Sequence, residues 1–98
     1  MKVIVDLCII PIGVGTSLSI YIAECVRIIE ASELKYNLHA YGTNIEGDWD
    51  RVFDVIKHCH RSLHDMGAPR ISTTIKVGTN TDRIQSIDDK IKSVSDKI

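Results

Sequence analysis

Two stretches of alternating sequence carry the polar groups best placed to do chemistry in this chain. Met1–Pro11 puts Val3, Val5, Leu7 and Ile9 on one face; Asp6 and Cys8, flanked by Ile4 and Ile10, fall on the other. Leu34–Tyr41 sets Tyr36, Leu38 and Ala40 against Asn37, His39 and Tyr41, then runs into Gly42-Thr43-Asn44-Ile45-Glu46-Gly47. Side chains on a strand alternate faces with a period of two, so each stretch reads as a strand with one apolar and one polar face. Asp, Asn, His and Tyr on a sheet face suit hydrogen bonding to a small ligand or a partner subunit better than packing under a helix. The same groups could equally satisfy one another at a subunit contact. They name no reaction.

Other constellations carry less. His60 and His64 stand i, i+4, with His58 nearby, a spacing that metal sites use. Yet HExxH is absent, a third ligand is missing, and His58 points about 160° around the helix from His60. The reading is no metal, with His60 as a hydrogen-bonded core histidine. Gly13-Val14-Gly15-Thr16-Ser17 is a glycine turn opening a helix. It lacks the GxGxxG and GxxxxGK[ST] patterns and reads as a capped connector. Cys8, Cys25 and Cys59 are odd in number and form no CxxC pair. Each reads as a small buried hydrophobe, with no disulfide, no nucleophile and a reducing cytoplasm as the compartment.

The 98 residues are read as one domain, 1–98. Twelve basic residues against thirteen acidic ones leave a net charge of −1, with no excess to hold a polyanion, so nucleic acid is not expected as a partner. No apolar run approaches the roughly 20 residues that cross a bilayer, so no membrane partner is expected either.

The elements that must position these groups read strand, helix, strand, strand, helix, strand, helix. Thr16 or Ser17 caps a first helix whose Leu18, Ile22, Cys25, Val26 and Ile29 share a face, and Ser32–Glu33 closes it. The second strand reaches Tyr41, Gly42 marks a bend or bulge, and Thr43–Glu46 forms a third strand. Asp48 caps a second helix carrying Val52, Phe53, Ile56, His60 and Leu63, which stops at Gly67 before Pro69. In the fourth strand Ile71, Thr73, Ile75 and Val77 face inward, while Ser72, Thr74 and Lys76 face outward. Ser86 caps a last helix with Ile87, Ile91, Val94 and Ile98 on one stripe. The βαββαβ order predicts an α+β ferredoxin-like plait: a four-stranded antiparallel sheet with two helices on one face, plus a C-terminal helix. The other face, with Ile4, Cys8, Ile10 and Tyr41, is expected to pack against another subunit.

The motifs, taken in order, are Pro11-Ile12-Gly13 with Thr16-Ser17-Leu18-Ser19, Tyr36, Gly42–Gly47, His60, and Gly67 followed by Arg70. Thr73-Thr74-Ile75-Lys76 and the tail Lys90-Ile91-Lys92-Ser93-Val94 complete them. Over essentially its whole length the chain resembles the small thiamine-binding proteins of archaea, bacteria and yeast. That resemblance implies the ferredoxin-like fold, dimers assembled into tetramers, binding of thiamine or its hydroxymethylpyrimidine portion, and no established catalysis or cofactor. The turn Val77–Asp82 departs from the family pattern in lacking an arginine, so the resemblance carries no anion contact there.

Thiamine joins an aminopyrimidine to a cationic thiazolium. Its site needs a planar wall, polar groups for the pyrimidine edge and negative charge near the cation. Tyr41 is expected as the wall, Ser17, Asn37, His39 and Thr43 as hydrogen-bonding groups, and Glu46 or Asp6 as the charge, in a pocket at a subunit boundary. A structural or regulatory oligomeric module without a small ligand is the alternative. An enzyme on this scaffold is a third reading, which the fold permits but does not argue.

Overall fold

The alternation at the start of the chain forms a long strand. In the computed structural model, which describes all 98 residues, β1 spans Lys2–Ile12. Then come α1 (Ser19–Ala31), β2 (Lys35–His39), β3 (Gly42–Asp48), α2 (Trp49–Asp65), β4 (Arg70–Gly78) and α3 (Ile87–Ser95). The sheet order is β2-β3-β1-β4, with every neighbouring pair antiparallel. This is the α+β ferredoxin-like plait that the element order predicts.

The period-two and helical patterns meet in one core. Val3, Val5, Leu7 and Ile9 of β1 and Ile45 of β3 are buried against Cys25 and Ile29 of α1 and Val52, Ile56, Cys59 and Leu63 of α2. Burying each large aliphatic side chain contributes about 1.5–3 kcal/mol. Asp48 caps α2 by accepting the Asp50 N–H at 3.3 Å. Gly67, at φ +104°, takes the left-handed turn that ends the helix before Pro69. Ser86 and Asp89 form a full capping box at the start of α3.

Two local readings are corrected. The N-cap of α1 is Leu18, with no side-chain cap, rather than Thr16 or Ser17. Leu18 is half-buried while Ser17 is exposed, so packing of an apolar side chain sets where the helix begins. Tyr41 is not in a strand. His39 pairs with Gly42, so Ala40 and Tyr41 make a two-residue hairpin connection and Gly42 opens β3. A Cβ on Gly42 would stand 2.5 Å from the Leu7 carbonyl oxygen, and this close approach of β1 is what calls for glycine there.

The third helix crosses to the sheet face opposite α1 and α2. Lys35, Glu46 and Ile4 share a register level on that face. Glu46 accepts the Ile87 N–H at 3.3 Å, and Lys35 pairs with Asp88 at 2.6 Å. Only Ile87 of the α3 stripe is buried; Ile91, Val94 and Ile98 are exposed.

Candidate functional site

The register brings four polar residues onto one level of the face opposite the core. Asn37 of β2 pairs with Asn44 of β3, Asn44 with Asp6 of β1, and Asp6 with Lys76 of β4. Each is one position out of phase with a core residue, so the alternation that buries Val5 and Ile45 turns Asp6 and Asn44 outward.

Asp6 is the hub of this row. Its Oδ1 accepts from the His39 Nε2–H at 2.7 Å and from the Asn44 amide at 3.3 Å. His39 Nδ1 in turn accepts the Tyr41 backbone N–H at 3.3 Å. That second bond assigns the neutral ring proton to Nε2, aimed at Asp6. Asp6 Oδ2 takes no hydrogen bond from the protein. A carboxylate fixed on one oxygen by two donors and open on the other suits an incoming amino group.

Two cavities lie near this row, and Asp6 lines one of them. One, of about 430 Å³, lies over β1 and β4 beneath the segment leading to α3, and is lined by Ile4, Asp6, Asn44, Lys76, Arg83 and Lys90 among others. The other, of about 210 Å³, sits under the hairpin turn. It is lined by His39, Tyr41 and Thr43 with mostly apolar neighbours from β1 and α1.

The six residues expected from sequence are therefore dispersed. His39, Tyr41 and Thr43 share the smaller cavity, with Tyr41 87% exposed at the turn and Thr43 buried on the helix side. Asn37 lies in the polar row. Glu46 is on the right face but only 6% exposed; it is held by the Ile87 N–H, with Lys2 3.8 Å away. Ser17 is exposed in the β1–α1 connection and bonds to none of the others. Asn44, Lys76 and Arg83, which line the first cavity, are not among the six. Counting by twos from Glu46 would have put Asn44 on the outward face; Arg83 lies in an irregular segment with no period to read.

Two of the other histidines are engaged elsewhere. His60 Nε2 meets Thr73 Oγ1 at 2.6 Å, and His64 Nδ1–H donates to the Ala68 carbonyl at 2.8 Å. Burial, then the neighbouring His64, holds His60 below the ordinary histidine value. Cys59 is fully buried, and its contact with Cys25 together with burial pushes its thiol up, away from a thiolate nucleophile. No helix is long and apolar enough to cross a membrane.

Known proteins share this arrangement of the chain. A UPF0045 protein of Synechocystis sp. is 54% identical over 94 residues, covering 96% of this chain and 78% of the relative. The crystal structure of a Methanocaldococcus jannaschii protein superposes with a TM-score of 0.89 at 29% identity, covering 96% of both chains. A Thermotoga maritima protein provisionally assigned to thiamine biosynthesis or salvage matches with a TM-score of 0.83 at 22% identity, covering 96% of this chain and 99% of that one; at that identity the likeness is one of fold. The family model described as thiamine-binding protein matches residues 5–95, from the first core strand to the last turn of α3. With the predicted plait in place and that model spanning nearly the whole chain, the protein belongs to the thiamine-binding protein family.

Proposed function

We propose that this protein binds thiamine or a related hydroxymethylpyrimidine without transforming it, on the outward sheet face of a homo-oligomer. The observation that carries the reading is the Asp6 hub. Its free Oδ2 would accept the pyrimidine amino group, while Asn44 and Asn37 present amides to the ring edge. Tyr41, exposed at the β2–β3 turn beside His39, would cover the ring, and Thr43, buried on the helix side, would stay outside the site. Glu46 would act by holding α3 in place rather than by touching the ligand, and Ser17 would stay outside the site. A second copy packed over the exposed Tyr41, Ile10 and Leu38 would close the site at a subunit boundary.

Calorimetry with thiamine and with hydroxymethylpyrimidine tests this. Asp6→Asn and Asn44→Ala should each weaken binding roughly tenfold or more, the scale of a lost hydrogen bond to a charged group. Wild-type affinity in both variants, or no binding by the parent, would sink the assignment. The mutual satisfaction of Asp6, His39 and Asn44 favours a second reading, an assembly module whose polar row only holds an interface. In that case Asp6→Asn would dissociate the oligomer.

A further inference from the structure

The larger cavity has a charge that the proposed ligand does not by itself explain. Four of the chain's twelve lysines and arginines line it, namely Lys2, Lys76, Arg83 and Lys90, in a protein of net charge −1. The one carboxylate in its wall is Asp6, already engaged by His39 and Asn44. Of the neighbouring carboxylates, Glu46 pairs with Lys2 at 3.8 Å and accepts the Ile87 N–H, and Asp88 pairs with Lys35. Asp89 is bound in the Ser86 capping box, which chiefly holds its carboxyl below the ordinary value, with Arg83 and Lys2 adding to the effect. Lys76, Arg83 and Lys90 make no ion pair. A bare thiazolium gains nothing from such a wall. A doubly charged phosphate, which accepts charge-assisted hydrogen bonds from ammonium and guanidinium groups, is what it fits.

We propose that the ligand is taken as a phosphate monoester, with the phosphoryl group in the cavity between β4 and the segment leading to α3. There it would be held by Lys76 and Arg83, with Lys90 adding charge. Asp6 lines the same cavity and neighbours Lys76 across the β1–β4 ladder. One end of the ligand would therefore meet the carboxylate hub and the other the cations. Asn80 and Gln85 add neutral donors to the cavity wall. Arg83 brings a guanidinium just past the Val77–Asp82 turn, which has none. The inference rests on the thiamine or pyrimidine reading above and adds its phosphorylation state.

Calorimetry at low and moderate salt would compare thiamine with thiamine monophosphate, hydroxymethylpyrimidine with its phosphate ester, and inorganic phosphate alone. The phosphorylated member of a pair should bind about tenfold or more tightly, with the advantage shrinking as salt rises. Lys76→Ala and Arg83→Ala should each remove most of that advantage, leave the unphosphorylated ligand within about twofold, and keep the parent melting temperature, since both side chains are exposed. Equal affinities within each pair, or variants that weaken both members alike, would overturn the inference and leave the thiamine reading standing. Capture of inorganic phosphate through Lys76, with no binding of thiamine or pyrimidine, would overturn the thiamine reading and keep only an anion cavity. No binding by any probe would remove both.

Discussion

Glu46 shows how a single side chain's role is set by what reaches it. It sits on the outward face as its parity requires, yet Ile87 and Lys2 come to it and take it out of solvent. Glu46→Ala should leave the Ile87 N–H without its acceptor, at a cost of about 1–3 kcal/mol. Hydrogen exchange should quicken in α3 well before it does in β1. Glu46→Gln keeps an acceptor oxygen and should cost less. His60 sets a pH dependence of opposite origin. Its folded-state value is lowered by burial and by His64, so the unfolded chain binds the proton more readily. The stability linked to the neutral ring is present above the ordinary value of 6.5 and is lost as pH falls through the lowered one. Urea midpoints at pH 7 and pH 5 should therefore separate more for the parent than for His60→Gln. An equal separation would remove His60 from the account.

Among elements, the hairpin β2–β3 is where sequence and structure diverge most. The strands and both core helices follow from periodicity: Val3, Val5, Leu7 and Ile9 alternate, and Val52, Ile56 and Leu63 recur at helical spacing. The turn does not, because tight hairpins are usually marked by Asn-Gly or Asp-Gly with a left-handed backbone. Ala40-Tyr41 has neither, and no positive φ occurs there. With no such mark the alternation reads on through Tyr41 and carries Tyr41 and Thr43 into the expected site. The position of α3 was illegible for another reason. Its anchor to Glu46 joins residues 41 apart through a single buried isoleucine, and the rest of its apolar stripe is exposed. Gly42→Ala should test the hairpin's close approach. A Cβ 2.5 Å from the Leu7 carbonyl oxygen forces β3 away from β1. About 1–3 kcal/mol of stability should go in a denaturant melt, the usual cost of overpacking.

At the scale of the molecule, apolar surface is left over. Tyr41, Leu38, Ile10 and Ile12 are exposed toward the hairpin end of the sheet, and Ile84, Ile91 and Val94 are exposed on and before α3. Covering such surface is the expected reason for self-association. Light scattering at micromolar concentration should return a multiple of the 11.0 kDa chain mass; the mass of one chain would contradict the oligomer. The polar row has a further consequence, for folding fidelity. A one-residue slip of a strand exchanges its two faces. If β1 slipped against its neighbours, Asp6 would enter a core made of Ile45, Val52 and Ile56, and Val5 would go to water. Burying an unpaired carboxylate costs several kcal/mol. An error in β3 would bury Asn44 at smaller cost. The residues proposed to read a ligand would thus also reject misaligned sheets as the chain folds, and a variant that makes the row apolar would lose that discrimination along with its binding.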